Sequence, residues 1–458
     1  MEQQPGPVLQ LQIDRTGQIH VPYGHLTTRS SLPLKIVNPL NGCQDFSLLF
    51  RLRGTPQARQ HPLLATLIDE QIRWQLGIQE NGSWFWEARQ GESAYSYHPT
   101  PARQPILDEE WHQLACCFSA RRAEIWLYYD GLNVAIYHLN ALPNLTSAEY
   151  LLIGDEHQAL EYELSFYARM LGAEELAAPR HQPPICGDTL HVMTFNIWNG
   201  GRETGEEQGV ARTIELIQQA NADIITIQET YGSGPRIAEA LGYYFYLRSR
   251  NLSIMSRYPI LSTVPVFDPF FSGCARIALR PDLSLHCLNI WLHYLPDYLG
   301  DIKAGRSFTV QQFLAGENQH RFPEITQILR TAHGLPEPIL ISGDFNSGSH
   351  LDWIDTTAPQ HGGHVLPWPV SKAMEQAGFR DSYREIHPDP LAEPGYTWSP
   401  IAPADPHDRI DYIYYRNTTQ RGATLQPLAS RVIESHPERY PSDHGAVLTT
   451  FRIIDGDA

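Results

Sequence analysis

Several apolar runs in the second half of the chain end in side chains that can do chemistry. Asn196, Glu229 and His293 each close such a run. Five further polar residues follow or interrupt later apolar runs: Asp344, Asn346, Asp411, Asp443 and His444. Layered folds assemble their sites where strands end. We therefore predict that these residues come together in one site.

The residue types favour a hard metal ion. The oxygens of Glu229 and Asn196 suit Mg²⁺, which prefers oxygen ligands and keeps waters for a phosphate-bearing substrate. Mn²⁺ is the alternative metal. A zinc site fits less well, because no cysteine stands at metal-ligand spacing.

The remaining polar residues suit the activation of water. An imidazole stays oriented when a carboxylate holds its other nitrogen, and His444 with Asp411 can form such a pair. Asp344 and Asn346 flank Phe345, so both can face one side and hold a water molecule. Together these residues predict a metal-assisted attack of water on phosphorus.

The segments that position these residues alternate between strand and helix. Leu190–Ile197 and Ile224–Gln228 are short apolar runs typical of buried strands. Between them, Val210, Ile214 and Ile217 recur at helical spacing. Residues 189–458 are therefore predicted to form a layered α/β domain.

The first part of the chain has a different pattern. Short alternating runs, separated by turn signals such as Asn81-Gly82, predict strands at Phe46–Leu52, Leu64–Ile68, Trp74–Ile78, Ser83–Glu87, Trp111–Phe118, Ile125–Tyr129, Val134–Leu139 and Tyr150–Ile153. This pattern predicts an all-β sandwich over residues 1–178. The proline-rich residues that follow predict a linker at 179–188.

The second domain resembles the endonuclease/exonuclease/phosphatase superfamily, which includes deoxyribonucleases, abasic-site endonucleases, sphingomyelinases and inositol-polyphosphate phosphatases. The resemblance is carried by five ordered motifs: Thr194–Trp198, Gln228–Thr230, Gly343–Ser347, Arg409–Tyr412 and Ser442–His444. It implies a four-layer α/β sandwich with the site at one rim. It also implies metal-site roles for Asn196, Glu229 and Asp443.

The same resemblance implies the catalytic roles. Asp344 and Asn346 would position or deprotonate the water, and Asp411 would orient His444 against the scissile phosphate. His293 resembles a second histidine of the deoxyribonuclease and sphingomyelinase branches, which contacts the phosphate or the leaving group. Metal, imidazole and amide groups suit the negative charge that gathers in the transition state.

The first domain resembles laminin-G or concanavalin-A-like jelly rolls. The motifs are Glu110–Phe118, Ala123–Gly131 and Leu151–Gly154. The resemblance implies a jelly-roll sandwich from a family whose domains bind glycans, proteins or calcium, or keep the fold without such binding. The resemblance assigns no ligand-binding residue in this domain.

Composition restricts the partners. The 458 residues include 34 Lys and Arg against 51 Asp and Glu, a net charge of −17, which disfavours tight binding to duplex nucleic acid.

No apolar run is long enough for a membrane span, and the first residues lack the pattern of a secretory leader. The six cysteines are too few for a disulfide scaffold. A cytoplasmic location is expected.

We interpret the chain as a divalent-metal-dependent phosphate-ester hydrolase, with a phosphodiesterase favoured over a phosphomonoesterase. The expected substrate is a small-molecule, lipid or carbohydrate-linked phosphate ester, with the β-sandwich as an accessory domain that binds a glycan or a protein. One alternative is a nuclease acting on DNA or RNA. Another is a glycan- or protein-binding protein with a degenerate hydrolase domain.

Substrate choice is expected to lie in two insertions, His293–Phe322 and Asn346–Gly395. Arg306 and Arg321 in the first of these are predicted either to reach a substrate phosphate or to lie on a solvated helix face.

Overall fold

The computed structural model describes residues 6–14, 18–24, 33–56, 61–68, 71–90, 93–140, 144–154, 160–177, 179–180, 182–402, 407–418 and 423–456. The chain forms two compact units, Met1–Gln182 and Pro183–Ala458. Two residues near the predicted boundary and linker, Ala178 and His181, lie outside the described residues. The described residues between 179 and 187 form neither helix nor strand.

The first unit is largely β-sheet. Its described strands are β1 (Leu9–Ile13), β2 (Ile19–Tyr23), β3 (Leu34–Val37), β4 (Phe46–Gly54), β5 (His61–Ile68), β6 (Gln71–Ile78), β7 (Trp84–Gln90), β8 (Ser93–Tyr97), β9 (His112–Ser119), β10 (Glu124–Tyr129), β11 (Leu132–His138), β12 (Tyr150–Ile153) and β13 (Leu160–Tyr167). A short helix, α1 (Asn144–Ser147), and a 3₁₀ turn at Ala173–Glu175 complete it.

These strands form two antiparallel sheets within the first unit. One has the order β2-β1-β13-β4-β9-β10-β11, and the other has the order β3-β12-β5-β6-β7-β8. The adjacent Cys116 and Cys117 lie on β9, where both are fully buried. The prediction of a β-rich first domain is therefore confirmed, whereas its jelly-roll topology stays a prediction.

A buried histidine links strands of the first sheet. His112 Nδ1 lies 2.8 Å from Asp130 Oδ2, and His112 Nε2 lies 2.9 Å from Asp108 Oδ1. Burial opposes the charged imidazole, but the two carboxylates outweigh it and raise the pKa of His112. Two motifs of the first domain, Glu110–Phe118 and Ala123–Gly131, therefore meet through His112 and Asp130.

The second unit mixes strands and helices. The strands are β14 (Thr189–Asn196), β15 (Ile224–Gln228), β16 (Tyr244–Leu247), β17 (Ser253–Ser256), β18 (Ile260–Val264), β19 (Ser272–Arg280), β20 (Leu283–Trp291), β21 (Ile339–Asp344), β22 (Arg380–Asp381), β23 (Asp411–Arg416), β24 (Thr424–Ile433) and β25 (Ala446–Ile454). The helices are α2 (Trp198–Gly201), α3 (Glu206–Ala220), α4 (Gly234–Leu241), α5 (Tyr298–Lys303), α6 (Val310–Glu317), α7 (Arg321–His333), α8 (Pro369–Gln376) and α9 (Ser382–Ile386), with a 3₁₀ turn at Ala358–His361.

Two sheets face each other in this unit. One has the order β16-β17-β15-β14-β25-β24, and the other has the order β18-β19-β20-β21-β23-β22. Within each sheet one central pair is parallel, β14 with β15 and β20 with β21. Polar side chains join the facing sheets, because Gln228 Nε2 donates to Asn289 Oδ1 at 2.6 Å.

Apolar helix faces cover the second sheet from outside. Ile325 and Ile328 of α7 and Met374 of α8 are fully buried in one core cluster with Leu288 and Ile341 of the strands. The predicted layered α/β fold of this unit is thus confirmed. The strands β14, β15 and β21 carry Asn196, Glu229 and Asp344 to one rim.

Candidate active site

The ends of two facing strands meet at Asn196 and Asp344. Asn196 is the last residue of β14 and Asp344 the last of β21, and both are almost completely buried. Asn196 Nδ2 donates to Asp344 Oδ2 at 3.1 Å and to Glu229 Oε1 at 3.2 Å. Its Oδ1 accepts from the backbone N–H of Trp198 at 3.0 Å. Asn196 therefore links two carboxylates that stand at the ends of different strands.

Glu229 follows β15 in a left-handed conformation, with φ of 56°. Its backbone N–H donates to Asn251 Oδ1 at 3.0 Å, and its Oε2 accepts from the Asn199 backbone N–H at 2.9 Å. A non-glycine residue at positive φ is strained and persists where its surroundings hold it. Asn251 is a support that the motifs did not reveal, because it lies on a separate loop.

Asn346 also adopts positive φ, 47°, two residues beyond β21. Its backbone N–H donates to Asp344 Oδ1 at 2.8 Å, and its Nδ2 donates to Asp344 Oδ2 at 3.2 Å and to the Leu292 carbonyl at 2.9 Å. The predicted pairing of Asp344 and Asn346 on one side of Phe345 is thus present.

His444 pairs with Asp411 across two segments. Its Nδ1 lies 2.9 Å from Asp411 Oδ2, and its Nε2 lies 3.9 Å from Asp344 Oδ2. The His444 backbone N–H donates to Ser442 Oγ at 3.1 Å, and that hydroxyl donates to the Asn196 carbonyl at 2.7 Å. Ser442 therefore ties the histidine loop to the end of β14.

Thr397 holds the start of β23. Its Oγ1 accepts from the backbone N–H groups of Ile410, at 3.0 Å, and Asp411, at 3.1 Å. Sequence reasoning missed this residue because it lies outside the motifs that marked the site. Its hydroxyl helps to place the Asp411 carboxylate against the imidazole of His444.

Burial and charge set the protonation of the central groups. Burial raises the pKa of the Asp344 carboxyl to about 7. Burial alone would lower the pKa of His444, but Asp411 and Asp344 outweigh it and raise that pKa to about 10. The site therefore combines an imidazole whose charged form is favoured with a carboxyl group whose pKa lies above its ordinary value.

The oxygen donors fit a divalent cation. Ligand atoms of Asp344, Asp411 and His444 all lie within 4.8 Å of one another, a group able to hold a metal ion. Two buried oxygens, Asp411 Oδ1 and Asp443 Oδ1, have no hydrogen-bond partner among the described residues. Orphaned carboxylate oxygens beside other carboxylates suit a hard ion such as Mg²⁺. Asn196, Glu229 and Asp443 stay predicted ligands.

His293 lies apart from this hydrogen-bonded group. Its backbone N–H donates to Glu324 Oε2 at 3.0 Å, and its ring stacks on His320 with centroids 4.2 Å apart. It follows β20, the strand parallel to β21, so it stands near the same rim. No hydrogen bond joins its side chain to Asp344 or His444 within the described part of the chain. Its catalytic role stays a prediction.

The sequence-based predictions for Arg321, a contact with a substrate phosphate or a place on a solvated helix face, are both wrong. Arg321 neither lies on a solvated face nor points a free guanidinium at substrate, since only 2% of it is exposed. Its Nε donates to Glu317 Oε1 at 2.8 Å, Nη2 donates to the Pro296 carbonyl at 2.7 Å, and Nη1 donates to the Asn346 carbonyl. The other arginine of that segment, Arg306, pairs with Asp301 at the surface.

A family model confirms the class that this fold and site define. The Endonuclease/Exonuclease/phosphatase family matches residues 193–444, which is more than half of the chain. The chain belongs to this family, whose members share a phosphoesterase fold. That match leaves the first unit without a family.

Individual relatives are more distant. Uncharacterized protein F14F9.5 of Caenorhabditis elegans is 31% identical over 297 residues, covering 58% of this chain and 92% of that protein. A structure of D. rerio TDP2 complexed with single strand DNA product is 18% identical, with a TM-score of 0.41, 58% of this chain and 100% of that chain covered. An AP endonuclease from Archaeoglobus fulgidus is 18% identical, with a TM-score of 0.39, 57% of this chain and 98% of that chain covered.

Proposed function

We propose that the chain is a divalent-metal-dependent phosphodiesterase. One observation carries this proposal: Asn196 Nδ2 lies within 3.5 Å of Glu229, Asp344 and His444 at once. Carboxylate, amide and imidazole groups that converge in a buried rim suit the hydrolysis of a phosphate ester. The family membership supports the same chemistry.

The residues divide the work of the reaction. Asp344, held by Asn346 and Asn196, accepts a proton from the attacking water as the new P–O bond forms. His444, held by Asp411, directs its Nε2–H at a phosphoryl oxygen and stabilises the charge that gathers there. The P–O bond to the alcohol then breaks, the leaving oxygen takes up a proton from water, and Asp344 returns its proton to the solvent. Glu229, Asp443 and Asn196 would hold the metal, which supplies Lewis-acid stabilisation of the phosphoryl oxygens.

The test compares two chromogenic esters. Bis-p-nitrophenyl phosphate and p-nitrophenyl phosphate are incubated with the full chain in Mg²⁺, Mn²⁺ or EDTA. We expect EDTA-sensitive cleavage that favours the diester and is lost in Asp344→Ala. Asp282→Ala is the matched control, because Asp282 is exposed on a turn. Equal activity in Asp344→Ala and wild type would refute the assignment.

A nuclease is the competing activity within the same family. Plasmid DNA, single-stranded DNA and RNA are therefore included as substrates over a range of salt concentrations. A nuclease that grips the phosphate backbone loses activity steeply with salt. If the chain cleaves nucleic acid faster than the chromogenic diester, and that rate falls steeply with salt, the protein is a nuclease and not a small-molecule phosphodiesterase.

For the first unit we propose an accessory β-sandwich of jelly-roll type that binds a glycan or a protein. An open pocket of about 500 Å³ on one sheet supports this role, and amide and carboxylate groups surround the Phe85 ring there. Glycan arrays with the full chain test it, comparing wild type with His98→Ala in the pocket and with Arg121→Ala outside it. Full glycan binding by a chain without hydrolytic activity would favour a degenerate hydrolase domain.

We also propose a cytoplasmic location. All six cysteines are free thiols, which suits a reducing compartment. The described residues include no helix that is both long and apolar enough to cross a membrane. Fractionation of cells that express the full chain tests the location.

A further inference from the structure

A pocket of about 230 Å³ opens beside the catalytic residues. His444 and Asn346 are among the residues that line it. Its other walls include Tyr294, Tyr298, Trp368, Trp398 and Asp408. This volume is large enough for one small ring. The position next to the reacting groups makes it a pocket for one side of the substrate.

Backbone pairing fixes the Trp398 wall. Trp398 N–H donates to the Asp408 carbonyl at 3.0 Å, and Asp408 N–H donates back to the Trp398 carbonyl at 2.9 Å. Trp398 also forms a bridge with His444. The backbone of Trp398 is therefore held beside those of Asp408 and His444, and all three residues line the pocket. Tyr294, which is 55% exposed, supplies a second ring of the lining.

Asp408 offers an acceptor to a ligand. Its Oδ1 accepts from Trp353 Nε1 at 3.2 Å and from the Arg409 backbone N–H at 2.9 Å. Among the described residues, no hydrogen bond ends on its Oδ2. The carboxyl group thus has one oxygen tied to the protein while the residue lines the pocket.

The carboxyl groups of the walls oppose an anionic ligand. Asp408 and Asp297 disfavour an anionic group, such as the next phosphate of a nucleic acid. Arg321 also lines the pocket, but Glu317 pairs with it at 2.5 Å and offsets its charge. A hydroxyl group both donates and accepts, so it can pair with a carboxyl group without bringing a charge.

We infer that this pocket holds the alcohol side of the phosphodiester, and that this alcohol is an uncharged ring bearing several hydroxyl groups, as in a sugar. The inference rests on the proposed function and specifies its substrate class. The apolar C–H faces of such a ring pack against Trp398 and Tyr294. Its hydroxyl groups pair with Asp408.

The first experiment measures binding without turnover. Saturation-transfer NMR compares methyl glucoside, myo-inositol, choline and inorganic phosphate as probes of the full chain in Mg²⁺. We expect one or both neutral rings to bind, with affinity about fivefold or more weaker in Tyr294→Ala and Asp408→Ala. Tyr23→Ala is the matched control, because Tyr23 is also 55% exposed but lies in the first unit. Which ring binds distinguishes a sugar from a cyclitol.

The second experiment measures selection during hydrolysis. The substrates are glycerol phosphodiesters of glucose, inositol and choline. We expect kcat/KM for a neutral-ring diester to exceed that for the choline diester by about tenfold, a difference of roughly 1.4 kcal/mol. Tyr294→Ala should reduce this ratio, whereas Tyr23→Ala should leave it unchanged.

The outcomes separate the two proposals. The ring pocket would be overturned by any of three results. These are binding of choline without either neutral ring, binding of none of the probes, and equal binding by wild type and Tyr294→Ala. If the wild-type chain shows no EDTA-sensitive diester cleavage, the phosphodiesterase proposal is overturned. The NMR measurement would still test the pocket by itself.

Discussion

The imidazole Nδ1 of His444 lies 2.9 Å from Oδ2 of Asp411, although the two residues are 33 positions apart in the chain. This contact leaves Nε2 facing the Asp344 side of the rim, 3.9 Å from its carboxylate. The carboxylate therefore fixes which nitrogen of the ring is presented to a substrate.

Replacing Asp411 with asparagine should test this orientation. An amide removes the negative charge that supports the imidazolium, and we expect kcat for bis-p-nitrophenyl phosphate to fall roughly 10²- to 10⁴-fold. The measurement is steady-state hydrolysis in Mg²⁺, with circular dichroism to check the fold. Asp282→Asn should keep wild-type activity. A change of less than about threefold in Asp411→Asn would contradict the role of the pair.

Arg321 is predicted to position Asn346 rather than to contact substrate. Arg321→Lys keeps the charge beside Glu317 but cannot reproduce the guanidinium fork that reaches the Asn346 and Pro296 carbonyls. We expect kcat to fall about tenfold while KM changes less than about threefold.

The control for Arg321 lies on the same helix. Arg330→Lys, at an exposed position of α7, should leave both constants unchanged. A larger effect of Arg321→Lys on KM than on kcat would indicate direct contact with substrate instead.

A buried ionic network is predicted to stabilise the strand that carries Asp411. Arg409 donates to Asp381 at 2.7 Å and to Asp352 at 2.9 Å, and only 2% of it is exposed. Arg409→Met leaves two buried carboxylates without this cation and should cost about 3–5 kcal/mol. Urea unfolding measures the loss.

An exposed arginine provides the comparison. Arg380→Met removes a surface pair with Glu385 and should cost less than about 1 kcal/mol. Equal losses in the free energy of unfolding for Arg409→Met and Arg380→Met would mean that the buried network does not stabilise the folded protein.

His361 predicts a pH dependence of stability. The ring is buried and stacks on Trp353 with centroids 4.0 Å apart. Burial lowers its pKa to about 4, so the folded protein binds fewer protons than the unfolded chain between that value and about 6.5. The contribution of neutral His361 to the free energy of unfolding is fully present above about pH 6.5. It falls by on the order of 3 kcal/mol as the pH is lowered toward 4.

The pH prediction is checked by unfolding from pH 4 to 7.5. His361→Phe should flatten the dependence in the acidic range, because the variant has no group to protonate at this position. His333→Gln, at an exposed helix end, should keep the wild-type profile. Identical slopes for wild type and His361→Phe would contradict the buried neutral histidine.

Local patterns were sufficient to predict many elements. The run Ile224–Gln228 is β15 with the same bounds, and the helical spacing of Val210, Ile214 and Ile217 lies within α3. Other elements, such as β19 and β24, were not predicted. The motif residues were identified because polar side chains interrupt apolar runs where strands end.

Contacts between distant segments required the tertiary structure. Asn196 and Asp344 touch across 148 positions of sequence. Arg321 looked like a surface or substrate cation, yet packing buried it against Glu317. Asp408 lies three residues before a recognised catalytic position, but its place in a pocket depends on the Trp398 segment.

The sequence by itself determined the family, the two-part organisation into β-rich and α/β segments, and the set of polar residues at strand ends. Only the tertiary structure decided that Asn196 links Glu229 to Asp344, that Arg321 supports Asn346, and which rings flank the site. The physical reason is that periodicity and residue type act over a few neighbouring positions. Which faces meet depends on long-range packing of whole sheets, and no short segment encodes it.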